Sequence, residues 1–148
     1  DANGTLRVTY GNVSGVELKD GVYYKPFTTL EGIAEKHSGQ EPFNVGNKLL
    51  NKISEKDYGD YYFEPIDSVP VNFISTLDIT NGNSGSATIN ADFDLVGLAF
   101  DGILETIIAD YKYIPQARSI SVDSRYLLWT LEKIEKANNI LEELTIVN

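Results

Sequence analysis

The stretch TNGNSGSATINADFDLVGLAF, residues 80–100, decides the fold class. Ala87-Thr88-Ile89 and Leu95-Val96-Gly97-Leu98-Ala99-Phe100 are short apolar and β-branched runs, and Asn90-Ala91-Asp92-Phe93-Asp94 between them is rich in turn formers. That pattern predicts a β-hairpin with a turn of about five residues. Just upstream, Thr80-Asn81-Gly82-Asn83-Ser84-Gly85-Ser86 places two glycines around a serine in the bend that enters the hairpin. A bend this tight exposes a hydroxyl and leaves backbone N–H groups unpaired. A serine nucleophile needs both, because the oxyanion of a tetrahedral intermediate must meet donors already oriented toward it. Ser84 is the candidate nucleophile, and the N–H groups of Ser84 and Gly82 are the candidate oxyanion hole, glycine at 82 permitting a conformation that a β-carbon resists. A plain Gly/Ser turn remains open as the alternative on these residues alone.

Outward from this segment, Val69 to Ile79 and Ser119-Ile120-Ser121-Val122 read as further strands. Ser124 can cap a helix whose apolar positions Leu127, Leu128, Leu131 and Ile134 recur at three- and four-residue intervals, with a break expected at Asn138-Asn139 before Ile140, Leu141 and Leu144. Near the start, Leu6, Val8 and Tyr10 alternate with Arg7 and Thr9, and Val22-Tyr23-Tyr24 follows the turn signal Lys19-Asp20-Gly21, which predicts a hairpin or meander. Thr29 opens a helix over Leu30 to Lys36 with Ser38-Gly39 as a stop, and Leu49, Leu50 and Ile53 mark a second. Asp57-Tyr58-Gly59-Asp60-Tyr61-Tyr62-Phe63 reads as a surface loop ending at Pro65. Its tyrosines fit either a binding surface or aromatics folded onto the core.

Composition excludes several functions. The chain has 148 residues, 12 Lys plus Arg against 22 Asp plus Glu, a formal charge of −10, one His, and neither Cys nor Met. One domain is expected, burying roughly 68–70% of its unfolded surface. Zinc thiolate sites and disulfides cannot form without Cys. No basic patch offsets the negative charge, so nucleic acid is not an expected partner. No apolar run approaches the roughly 20 residues that cross a bilayer, and Asp1-Ala2-Asn3-Gly4 lacks signal-peptide character. The missing initiator Met suggests a mature product or a piece of a longer chain. No cofactor or metal is expected, since Asp92 and Asp94 in one hairpin turn do not supply the six to eight oxygens that calcium takes. Asn3-Gly4-Thr5 and Asn12-Val13-Ser14 match the glycosylation sequon by pattern. The single histidine, His37, lies in Glu35-Lys36-His37-Ser38-Gly39, a helix-end setting rather than that of a catalytic base.

The serine segment departs from the α/β-hydrolase elbow, which requires Gly two residues after the serine, where this chain has Ser86, and a helix rather than a strand after it. A Gly-x-Ser-Gly turn between strands is instead the trypsin-like arrangement. TNGNSGS (80–86), LVGLAFDG (95–102) and RSISVDSRYLLW (118–129), in that order and spacing, closely resemble the C-terminal part of the bacterial dipeptidyl-peptidase 7 and 11 family of serine exopeptidases. TLRVTYG (5–11) and DGVYYKPFTTLEG (20–32) look like that family too, so the resemblance covers nearly the whole chain.

The resemblance implies a mainly β chain with helices, the C-terminal barrel of a trypsin-like double β-barrel peptidase. Residues 1–148 would form a single domain: strands and a helical lead-in over 1–68, barrel strands with the nucleophile turn over 69–122, and a C-terminal helix over 123–148. It implies that Ser84 is the nucleophile, Gly82 an oxyanion donor and Asp101 a ligand for the substrate's N-terminal ammonium, a charge-assisted contact that internal peptide bonds cannot offer. Gly102 stands where acid-preferring members carry Arg and hydrophobic-preferring members Gly, which implies an uncharged, open pocket and an apolar penultimate substrate residue. Asn81, Ala87 and Ile103-Leu104 depart from the family's usual Gly, Pro and Asn-Trp. The catalytic His and Asp would lie in an N-terminal barrel outside this chain, leaving the isolated chain inactive. Peptides with a free N-terminus would be the substrates, in the periplasm or at the surface of a Gram-negative bacterium, with the parent protein a homodimer. The rival is a non-catalytic domain that binds peptide N-termini, or an inactive homologue.

Overall fold

The structure, a computed structural model, describes residues 4–109, 111–112 and 114–147. Its contacts divide the chain into two compact units. One comprises the residues up to Phe27 together with Asn72–Asp123, and the other comprises Thr28–Val71 together with the residues from Ser124 onward. The first unit has a hairpin at the expected turn and second strand, but its first strand is Val16–Lys19 and not the Leu6–Tyr10 run. β1 (Val16–Lys19) pairs antiparallel with β2 (Val22–Tyr24) across a turn in which Gly21 takes a φ of +77°, a value suited to glycine.

The larger sheet has five strands, β3 (Phe27–Thr29), β4 (Pro70–Ser75), β5 (Ala87–Ile89), β6 (Leu95–Gly102) and β7 (Ser119–Asp123), in the order β3-β4-β7-β6-β5. It is an open sheet with β3 and β5 at its edges, so among the described residues it does not close into a barrel. The β5–β6 hairpin expected from residues 87–100 forms with Ala87 opposite Leu98. In its turn the Asn90 side chain accepts from the N–H groups of Asp92 and Asp94 and donates to the Asp94 carboxylate, which engages Asp94 within the turn itself.

β7 pairs with both β4 and β6 and alternates strictly: Ser119, Ser121 and Asp123 are buried, while Ile120 and Val122 face the other side. The buried hydroxyls are satisfied by one another. Ser119 meets Ser75 at 2.7 Å and Ser121 meets Thr88 at 3.1 Å. On the opposite face Ile74, Val16 and Ile103 form an apolar cluster with Leu18 and Ile120 against it. Gly97 is small for a local reason, since a β-carbon there would lie 2.6 Å from the Val122 carbonyl oxygen and 2.7 Å from the Phe73 ring.

The expected strand at Leu6, Val8 and Tyr10 does not form, and these side chains are almost fully exposed. Alternation makes a strand only where a neighbour supplies the ladder and the cover. Here the segment is instead tied by isolated bonds. Thr9 Oγ1 accepts from the Asp78 N–H, the Asn12 N–H donates to Thr76 Oγ1, and the Thr76 N–H donates to the Asn12 carbonyl. Asn12 is exposed, and Asn3 of the other sequon lies outside the described residues.

In the second unit, α1 (Leu30–Lys36) begins where expected, with Thr29 Oγ1 accepting from the Gly32 N–H, and α2 (Asn47–Ser54) follows. The predicted surface loop at 57–63 is a correction. Tyr58 and Tyr61 are only 7% and 6% exposed and join Leu30, Ile53, Val69, Val71, Trp129 and Ile134 in the core. Their hydroxyls make the burial tolerable: Tyr58 donates to Glu31 and Tyr61 to Glu132 at 2.7 Å, while Tyr62 stays exposed and bonds Asp67. Helix α3 (Ser124–Trp129) continues as a π-helical turn over Thr130–Glu135 and stops at Lys136, whose φ is +54°. The break therefore falls two residues before Asn138, and α4 (Asn138–Leu141) starts at the asparagines instead of being interrupted by them.

Candidate active site

The segment leading into β5 folds as two linked tight bends. The Asn83 N–H donates to the Thr80 carbonyl at 3.1 Å and Asn83 Oδ1 accepts from the Thr80 N–H at 2.8 Å, so one asparagine closes the first bend from both sides. Gly82 sits within it at a φ of +92°, where a side chain would be strained. The Ser86 N–H donates to the Asn83 carbonyl, and Gly85, with a φ of +86°, donates its N–H to the Ala99 carbonyl at 2.7 Å. The Ala99 N–H returns a bond to the Ser86 carbonyl at 2.9 Å, which pins the end of the bend to β6. Ser84 is thus held at an exposed position between two left-handed glycines.

Among the described residues, the Phe100 carbonyl is the sole partner of Ser84 Oγ, at a long 3.4 Å, and the backbone N–H groups of Gly82 and Ser84 have no acceptor. The first fact leaves the hydroxyl without a base. The second leaves two donors available to an incoming negative oxygen.

β6 carries the rest of the site. Ala99 pairs with Ser121 and Asp101 with Ile120, so Phe100 is an extra residue and the strand bulges there. Beyond the bulge, the exposed Asp101 accepts from the Gly102 N–H through Oδ1 at 2.8 Å. Ser84, Gly82, Asp101 and Gly102 all line one concavity of about 370 Å³, whose apolar wall includes Ile103 and Ile107. The four residues singled out in the sequence are therefore brought together.

Gly102 is less open than expected, because a β-carbon there would lie 2.8–2.9 Å from the side chain of Thr106. Thr106 belongs to a 3₁₀ turn, Leu104–Ile108, that no sequence pattern marked. Its hydroxyl donates to the Arg118 carbonyl at 3.0 Å, and the Ile103 N–H donates to the same carbonyl. The Arg118 guanidinium in turn reaches the carbonyls of Ser14, Gly15, Pro115 and Ala117. The bulge and this brace are the parts of the site that sequence reasoning missed.

His37 has other employment: it caps α1 with its N–H, and its Nδ1 accepts from the Val45 N–H at 3.0 Å. No group of three His, Asp or Glu able to hold a metal occurs among the described residues, and none of their helices is long and apolar enough to cross a membrane.

The Peptidase S46 family model matches residues 1–146. An Asp/Glu-specific dipeptidyl-peptidase of Shewanella putrefaciens is 43% identical over 169 residues, covering 99% of this chain and 23% of its own length. Dipeptidyl-peptidase 7 of Phocaeicola vulgatus is 44% identical over 149 residues, covering 99% of this chain and 20% of its own length. The crystal structure of Porphyromonas endodontalis DPP11 in complex with the dipeptide Arg-Glu matches with a TM-score of 0.87 at 38% identity, over 91% of this chain and 20% of that one. The chain spans about a fifth of the length of these relatives. It belongs to the peptidase S46 family.

Proposed function

We propose that this chain is the nucleophile-bearing part of a serine dipeptidyl-peptidase that releases dipeptides from free peptide N-termini. The observation that carries the proposal is the convergence of Ser84, Gly82, Asp101 and Gly102 on one concavity. In the proposed reaction Ser84 Oγ attacks the carbonyl carbon of the second substrate residue, and its proton passes to a histidine outside this chain. The oxyanion meets the N–H groups of Gly82 and Ser84. The leaving amine takes the proton from that histidine, and water then hydrolyses the acyl-enzyme. Asp101 holds the substrate's ammonium, which restricts attack to the second residue from the end. Gly102 and the isoleucine wall provide no charge to meet an acidic side chain, supporting an apolar penultimate residue. The relatives' names span both an Asp/Glu-specific enzyme and dipeptidyl-peptidase 7, so the choice rests on the pocket itself.

In this reading the open sheet corresponds to the second barrel of a trypsin-like pair, and residues 1–148 act as one functional domain. The whole protein supplies the histidine and aspartate from an N-terminal barrel, acts in the periplasm or at the surface of a Gram-negative bacterium, and pairs as a homodimer. Alone, the chain is inactive, because an unactivated hydroxyl is a weak nucleophile.

A second reading is a non-catalytic domain that binds peptide N-termini at Asp101. It asks nothing of the Ser84 hydroxyl, and what supports it is the exposed Asp101 carboxylate at the concavity, with one bond to its neighbour's N–H. Fluorophore release from dipeptidyl substrates by the full-length protein and its Ser84→Ala form separates the two. Release on apolar substrates that vanishes in the variant supports the peptidase. Selective release on acidic substrates overturns the pocket assignment, and peptide binding without Ser84-dependent release supports the second reading.

A further inference from the structure

The crowding at Gly102 has a chemical direction. Thr106 Cβ, Cγ2 and Oγ1 all lie within 2.8–2.9 Å of where a β-carbon on residue 102 would stand, so the volume that residue 102 leaves vacant is taken up by Thr106. Thr106 is half-buried and lines the same concavity as Ser84 and Asp101. Its hydroxyl is engaged with the Arg118 carbonyl, and its N–H is engaged with the Ile103 carbonyl at 2.8 Å. Both polar groups are satisfied within the protein. What remains for Thr106 to present to a ligand is its volume.

We propose that Thr106 is a specificity-determining residue that shares one subsite volume with position 102. A side chain at one of these positions can enter the subsite only if the other is trimmed. The inference rests on the peptidase reading, and adds that the size of the accepted penultimate side chain is set at residue 106.

The test uses the full-length protein and compares kcat/KM for dipeptidyl substrates with Leu, Phe or Glu at the penultimate position. Thr106→Ala is expected to raise the Phe-to-Leu ratio about tenfold, the usual scale for a small volume change in an apolar pocket. Thr106→Val, which keeps the shape and removes the hydroxyl, is expected to keep the parent ratio. Gly102→Arg alone is expected to lose release on all three substrates, and Gly102→Arg with Thr106→Gly to recover release on Glu. A Thr106→Ala ratio within twofold of the parent, or Gly102→Arg cleaving the Glu substrate without a change at 106, overturns the proposal. Release that persists in Ser84→Ala sinks the nucleophile assignment instead, while the ratios at 106 still report on the subsite.

Discussion

Each residue of the site has a task that a substitution can isolate. The Asp101 carboxylate lies exposed at the cavity with one bond to its neighbour's N–H, which leaves acceptor capacity for an ammonium. Asp101→Asn keeps the shape and removes the charge, so kcat/KM on dipeptidyl substrates should fall about 10- to 100-fold, as steady-state kinetics would register. Gly82→Ala forces a β-carbon onto a φ of +92° and turns the proposed oxyanion donor away, and a kcat loss of roughly a hundredfold is expected. Full activity in Gly82→Ala would remove that residue from the oxyanion hole. Turn chemistry and family spacing singled out Ser84, Gly82, Asp101 and Gly102 in the sequence, and the fold brings these four to one concavity. Thr106 was not singled out, because its role depends on a 3₁₀ turn folding back against residue 102, a tertiary proximity with no periodic signature.

At the level of elements, β7 shows what alternation alone does not decide. The run Ser119 to Val122 identified a strand, and the structure buries Ser119 and Ser121 on one face while Ile120 packs against the apolar cluster on the other. The burial of the serines is made tolerable by hydroxyls that satisfy one another across β4, β5 and β7. The close approach beside them is unforgiving: Gly97→Ala drives a methyl group into the Val122 carbonyl and the Phe73 ring, and chemical denaturation should show a loss of about 1–3 kcal/mol. Trp129 is the matching anchor of the helical unit, fully buried, with its indole N–H donated to the Asp57 carbonyl at 2.8 Å. Trp129→Ala should cost about 3–5 kcal/mol in the same measurement. The β5–β6 hairpin was legible from its turn residues, α1 from the Thr29 cap, and α2 from the spacing of Leu49, Leu50 and Ile53. The inward turn of Tyr58 and Tyr61 was one of two readings the sequence left open, because what decides it is the distant carboxylates that receive their hydroxyls.

For the molecule as a whole, those carboxylates and phenols set the pH range of stability. Burial pushes the Tyr58 phenol up, and its bond to Glu31 adds to this, to about 12; burial and Glu132 raise Tyr61 as well. Raised phenols stabilise the fold fully below the ordinary tyrosine value, and that contribution is lost as pH climbs through the raised values. Burial also pushes the Glu31 carboxyl up, but the Ser68 and Tyr58 hydroxyls more than offset it, leaving the group lowered; Lys133 and Tyr61 lower Glu132, and Lys52 lowers Asp57. Lowered carboxyls stabilise above the ordinary carboxylate range, and that contribution disappears as pH falls below it. Thermal melts of the full-length protein should therefore weaken toward both extremes, and Tyr61→Phe should be less sensitive between pH 9 and 12 than the parent. An unchanged alkaline slope in Tyr61→Phe would remove that phenol from the account.

The Arg118 side chain closes a loop of dependence across the sequence. It gathers two carbonyls from residues 14 and 15, 104 and 103 positions earlier, while its own backbone oxygen accepts from Thr106 in the wall of the concavity. Only a planar cation with several divergent donors can bridge carbonyls in this way, and lysine would keep the charge without the span. Disturbing residues 14 and 15 would therefore loosen a wall of the concavity that neither residue lines, so the shape of that hollow is held in part from a segment outside it.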